Sequence, residues 1–234
     1  AKSPLSTIDI LVNNASGASI TMYKGTVFTS SIGGTSYQFI TNASHTINPT
    51  DGVYKFSGIP IYEGTLVTFK YTVDSTDVDQ RFLIPNNNAD TSTLKIQVQN
   101  SSSDSTTSTY TLASGLTSLD NTSKAYFLQE TEDGKFEIYF GDGVVGKSLE
   151  DGNIVIMEYI VTNKTEANGA SSFTLSGSID SFSDVTITAT SSAQGGSEPQ
   201  SKESIRFNAP LQYSAQDRAV TTSDYETKVL ELYP

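Results

Sequence analysis

Apolar and polar residues alternate along most of this chain with the two-residue period of half-buried strands. Ser6–Val12 (STIDILV) sets Ile8, Ile10 and Val12 on one face. A turn at Asn13-Asn14-Ala-Ser-Gly leads to Ile20–Tyr23 and Thr26–Phe28 on either side of Lys24-Gly25, and Gly33-Gly34 leads into Tyr37–Thr41. Beyond an Asp51-Gly52 turn lie Val53–Phe56, Ile59-Pro60-Ile61 and a long strand over Thr65–Val73. The pattern resumes at Ser92–Val98 (STLKIQV), at Phe136–Phe140, through the nearly unbroken apolar run of Ile154–Val161, and at Asp184–Thr190. Such a chain is expected to be mainly β with a minor α component.

The strand pattern repeats. Ser92–Val98 echoes Ser6–Val12. The run Gly58-x5-Gly64-x-Leu66-Val67-x-Phe69-x-Tyr71-x-Val73 returns as Gly146-x5-Gly152-x-Ile154-Val155-x-Met157-x-Tyr159-x-Val161. This predicts two tandem related β-rich units, over 1–77 and 78–190. The second contains a low-complexity polar loop over 100–109, expected to be mobile and to act as a hinge. From 191 the periodicity turns helical. Ser197 is the expected N-cap with Glu198 beside it, Ala209-Pro210 the expected stop, and Ser223-x-x-Glu226 a capping box for a further helix with Val229 and Leu230 on its apolar face. Residues 191–234 therefore read as a helical segment, the truncated start of a further domain.

Composition narrows the function. The 234 residues carry 26 acidic and 14 basic side chains, a net charge of -12, which disfavours binding to nucleic acid or to an anionic membrane. Cysteine is absent, so no thiolate metal site or disulfide can form. The single histidine, His45, falls in a polar loop without a second histidine, which argues against a His-based dyad or zinc site.

One motif points elsewhere. Gly141-Asp142-Gly143-Val144-Val145-Gly146-Lys147-Ser148 fits G-x-x-x-x-G-K-[ST], the phosphate-cradling loop of nucleotide hydrolases. That loop needs a helix directly after Lys-Ser to seat the phosphates. Here Leu149-Glu150-Asp151-Gly152-Asn153 leads straight into a β-branched run, so the glycines are expected to serve tight turns. Asp74, Asp77 and Asp79 lack the order of an EF-hand loop, and Glu130, Glu132 and Asp133 read as a hairpin turn with its charges outward. No catalytic residue, cofactor, metal site or small-molecule substrate is expected, and the chain reads as a non-enzyme.

The C-terminal third carries a resemblance. Gly195-Gly196, Ile205-Arg206 and Ala209-Pro210, followed by Arg218-Ala219-Val220-Thr221 and Asp224-Tyr225, resemble the baseplate J-like wedge proteins of contractile-tailed, T-even-like bacteriophages. The turn at Gly141, Asp142, Gly143 and Gly146, with Tyr159 in the next strand, is similar to the same family, as is Lys24-Gly25-Thr26-Val27-Phe28. The order of Glu198-Pro199 departs from many of its members. Membership would imply a structural part in the virion tail baseplate, assembled in the host cytoplasm. Copies would associate with one another, as a homodimer or in ring contacts, and with other wedge proteins. They would form a ring around the tail hub that rearranges before sheath contraction. A β-rich surface adhesin or tail-fibre binding domain is the alternative.

Overall fold

The computed structural model describes residues 1–77, 79–115, 119–201, 203–206 and 209–210. Strands dominate it, so the protein is mainly β with a minor α component. In chain order the strands are β1 (Leu5–Val12), β2 (Ile20–Met22), β3 (Val27–Ile32), β4 (Thr35–Ile40), β5 (His45–Ile47) and β6 (Tyr54–Glu63). Next come β7 (Thr65–Thr72), β8 (Phe82–Ile84), β9 (Ala89–Gln99), β10 (Thr107–Leu112), β11 (Ala125–Glu130) and β12 (Phe136–Phe140). The last three are β13 (Ile154–Val161), β14 (Thr174–Ser176) and β15 (Val185–Gln194).

The strands make two large sheets and one small one. The first sheet has the order β14-β3-β4-β6-β1-β15, the second β7-β13-β9-β10-β11-β12-β8, and β2 pairs with β5. Alternation places each sheet's apolar row inward. Ile8, Ile10, Phe28, Phe39, Phe56 and Ile61 build the first core, and Ile84, Ile96, Ile138, Val155, Met157 and Tyr159 the second.

The sheets are nested along the chain. The first is made from residues 5–63 and 174–194, and the whole of the second is inserted between them. The boundary at residue 77 therefore runs through second-sheet territory, because β7 pairs along its full length with β13. β15, which falls in the second expected unit, pairs with β1 of the first. The echoed strands β7 and β13 are thus hydrogen-bonded neighbours and not equivalent members of two units. β13 alternates buried and half-buried residues, whereas β7 is an exposed edge. One apolar pattern serves two environments.

The second sheet curls until its edge strands meet. Tyr71 Oη donates to Leu83 O at 2.8 Å and Gln80 Nε2 to Thr72 O at 2.8 Å. Phe69, Tyr71, Phe82, Phe140 and Tyr110 continue this closure as successive ring contacts with centroids 5.0–5.7 Å apart.

Several local expectations change. The polar stretch 100–109 is a compact hairpin between β9 and β10. Asn100 N donates to Thr106 O, Ser101 N to Asp104 O, and Asn100 Nδ2 to Asp104 Oδ2 at 2.7 Å. It joins adjacent strands of one sheet, so it is no hinge between units. His45 opens β5, with its Nε2 buried and unpartnered. Residues 1–196 form one compact unit and 197–234 a second. In that second unit residues 203–206 and 209–210 are helical. The cap is Ser201 and not Ser197, since Ser201 Oγ accepts from Ser204 N at 3.1 Å and Ser201 O from Ile205 N. Ala209-Pro210 is itself helical, because proline's fixed φ suits a helix and only its N–H is lost. The capping box at Ser223 lies outside the described residues.

Candidate functional site

The segment matching the phosphate-loop pattern leaves β12 and returns to β13 as a folded turn, with no helix over 141–153. Its amides are already occupied. Asp142 Oδ1 accepts from Val144 N and Val145 N, each at 2.9 Å, and Gly143 N donates to Gly146 O. Gly146 N donates to Asp120 O and Lys147 N to Ser123 O, so a second turn is latched onto the first. Asp120 holds that second turn. Its carboxylate accepts from the Ser123 and Thr122 hydroxyls and from Thr122 N, which brings its pKa down to about 2. A phosphate here would meet two fixed carboxylates.

The glycines have separate reasons. Gly143 and Gly146 have φ of 87° and 84°, where any L side chain is strained. Gly141 does not. A Cβ there would lie 2.3 Å from the backbone of Gly146, so Gly141 is needed for close approach and not for left-handed φ. Tyr159, on β13, is fully buried and donates to Asn86 Oδ1 at 2.6 Å; burial pushes its phenol up to about 12.

Beside the loop lies an open cleft of about 290 Å3, lined by Phe82, Glu137, Phe140, Gly141, Ser148 and Leu149. Its buried acid is engaged. Arg81 Nε donates to Glu137 Oε1 at 2.7 Å and Arg81 Nη2 to Oε2, while Tyr139 Oη adds a third bond at 2.8 Å. The guanidinium and the phenol hold the Glu137 carboxyl below the usual range. Asp74 and Asp77 likewise serve local turns, accepting from Thr76 N and Asp79 N respectively.

Gly195-Gly196 forms the exit from β15. Gly195 has φ of 83°, and a Cβ on Gly196 would lie 2.3 Å from Lys164 O and 2.5 Å from Pro4 Cγ. Asn168 brackets Gly196 reciprocally, Gly196 N donating to Asn168 Oδ1 and Asn168 Nδ2 to Gly196 O. Ile205 and Arg206 are exposed on the short helix, which also contains Ala209 and Pro210. Arg218, Ala219, Val220, Thr221, Asp224 and Tyr225 lie outside the described residues. The structure therefore brings together Gly141, Asp142, Gly143 and Gly146 in one turn, and Gly195 with Gly196 in another.

What the sequence reading missed is the joint between the sheets. Glu63 closes β6 and is fully buried. Its Oε2 accepts from Thr162 Oγ1 at 2.6 Å and Asn163 N at 2.9 Å, and its Oε1 from Asn163 Nδ2 at 2.7 Å. Asp90, also buried, accepts Ser3 N at 2.7 Å on one oxygen and Ser92 N and Oγ on the other. Lys24 pairs with Glu158 across the same boundary at 2.5 Å. A signal for Glu63 was present: Ile59, Ile61 and Glu63 alternate, which puts the carboxylate on the apolar face.

Two β-sheets bolted together by buried carboxylates, with loop amides consumed internally, define a rigid structural module. The comparisons point the same way. Residues 68–170 match the family described as bacteriophage baseplate wedge protein gp6, third domain. The chain is also 30% identical to baseplate wedge protein gp6 of Enterobacteria phage T4 over 135 residues, which takes in 48% of this chain and 20% of that protein. The chain thus spans about a fifth of that relative's length. These matches support a baseplate wedge protein family and a structural role. The family match begins in β7 and ends just past β13, so it takes in the second sheet and stops short of the Gly195–Tyr225 segment.

Proposed function

We propose that this chain is a structural part of a phage tail baseplate wedge, located in the virion tail and assembled in the host cytoplasm. In this reading copies associate with one another and with other wedge proteins. They link wedges into a ring around the tail hub and take part in its rearrangement before sheath contraction. The observation that carries it is the coincidence of the matched segment, 68–170, with one structural entity, the curled second sheet. A match confined to scattered strands would carry much less. The buried joint suits the role, because a wedge component has to transmit force without its parts shearing. Gly141, Asp142, Gly143, Gly146, Gly195 and Gly196 act as structural residues here. Residues 191–234 lead into a further domain, and no enzymatic activity is assigned.

Immuno-electron microscopy of the source's particles, with antibody raised to this chain, tests the proposal. Label confined to the baseplate is expected. Label on fibre tips or on a cell surface overturns it in favour of an adhesin.

A further inference from the structure

The two large sheets have four edge strands, and three of them are protected. β14 and β8 are three residues each. β7 carries Lys70 and is approached by β8 through the Tyr71–Phe82 contact. β15 is different. Val185–Gln194 (VTITATSSAQ) is ten residues long, has no charge and no proline, and pairs with β1 on one side only among the described strands. Natural sheets usually blunt such an edge with charges, proline, bulges or shortness.

The backbone pattern shows what this edge offers. Asn13 N donates to Asp184 O, and the ladder then runs Val12↔Val185, Leu11↔Thr186, Ile10↔Ile187, Asp9↔Thr188 and Ile8↔Ala189. Antiparallel residues alternate between bonding inward and outward. Thr186 and Thr188 therefore bond to β1, while Val185, Ile187 and Ala189 turn their N–H and C=O groups outward. The far end of the edge is already closed, since Gly169 N donates to Ala193 O and Ala193 N to Ala170 O, both at 2.7 Å. The side chains agree. Val185, Ile187 and Ala189 pack on the first core yet stay half-buried, whereas the core-facing row of β1 (Ile8, Ile10, Val12) is at most 3% exposed.

From this edge we infer that β15 is a self-association strand, whose occupant is β15 of a second copy of this chain in antiparallel, two-fold pairing. Charge selects the partner: copies carrying a net charge of -12 repel over most of their surfaces, and this strand places no charge against its own mate. Symmetry selects the register. Centred on Ile187, the pairing sets Val185 opposite Ala189 and makes about six backbone hydrogen bonds from the three outward residues of each copy. Asp184 then faces Thr190 of the second copy, and its carboxylate is already held by the side-chain amides of Asn13 and Asn14. One strand edge buries less than a standard interface, so the isolated pair is weak and is favoured by the high local concentration of an assembly. The inference deepens the baseplate reading, in which copies meet, but it stands on the edge alone.

The test is sedimentation equilibrium of the full chain up to the order of 100 μM, with amide hydrogen exchange at each concentration. A reversible dimer is expected, with the Val185, Ile187 and Ala189 amides gaining protection as concentration rises. Ala189→Pro removes only an outward N–H and abolishes the dimer. The double variant Thr186→Lys/Thr188→Lys, which changes exposed side chains and sets like charges opposite one another, weakens dimerisation at least tenfold and does so less at high salt. A chain that stays monomeric throughout, or a dimer indifferent to both variants, overturns the inference. Neither result moves the immunolabel, so the two readings fail separately.

Discussion

Gly141 and Gly143 stand two residues apart in one turn, and replacing them has different consequences. At Gly143 a methyl group meets nothing closer than Ser148 Oγ at 3.4 Å, so Gly143→Ala pays only left-handed φ strain, about 1 kcal/mol. At Gly141 the methyl would sit 2.3 Å from the Gly146 carbonyl, and the turn must open, at a cost on the order of 3 kcal/mol. Urea denaturation of the two variants checks this order, and equal losses would contradict it. Acid is the second lever at this scale. Asp120 has a folded-state pKa of about 2 against an ordinary 3.8, so the ionised form is favoured by folding. Its stabilising contribution is complete above about pH 4 and is lost as pH falls through 2. Asp120→Asn should therefore flatten the decline in thermal midpoint between pH 4 and 2, and an unchanged slope would refute the assignment. These details were only partly legible. The glycines marked turns from sequence alone, but Gly141's close approach depends on where Gly146 returns, which no local pattern encodes.

Among elements, the strands with an apolar two-residue period were legible and the polar ones were not. β1, β9, β12 and β13 alternate cleanly. β10 (TSTYTL) hid in a Ser/Thr-rich stretch because only Tyr110 of its six residues is buried. The joint was missed for a related reason: a carboxylate on the core face of β6 contradicts the expectation that buried residues are apolar. Its chemistry yields a sharp prediction. All three partners of Glu63 are donors, so Glu63→Ala strands a hydroxyl and two N–H groups and costs on the order of 3 kcal/mol. Glu63→Gln, though isosteric, turns an amide nitrogen towards a donor and should also destabilise, where an exposed Glu→Gln change would be neutral. Equilibrium unfolding distinguishes the two cases, and a Gln variant as stable as the parent would show that the carboxylate is dispensable at this joint.

At the scale of the whole molecule, nesting makes a prediction that a tandem arrangement would not. The two cores share no buried member: the first draws on β1–β6 and β14–β15 together with residues 167–182, the second on residues between Val73 and Tyr159. Every pairing of the second sheet lies between Thr65 and Val161. A fragment spanning 65–163 therefore keeps its whole ladder and core, losing only the outside contacts of Lys24, Glu63 and Ser3. It should unfold cooperatively by circular dichroism. The fragment 1–64 cannot do the same. It lacks β15, the antiparallel partner along β1, and it also lacks Ala167, Ala170, Phe173, Ile179 and Ala193, which complete its core. Ile8 and Ile10 would face water, so that fragment should be disordered or aggregated. A cut at residue 77 should fail on both sides, since it parts β7 from β13 while leaving β1 without β15. Two halves that both fold after that cut would restore the tandem arrangement; a folded 65–163 beside an unfolded 1–64 is what the nested chain path requires.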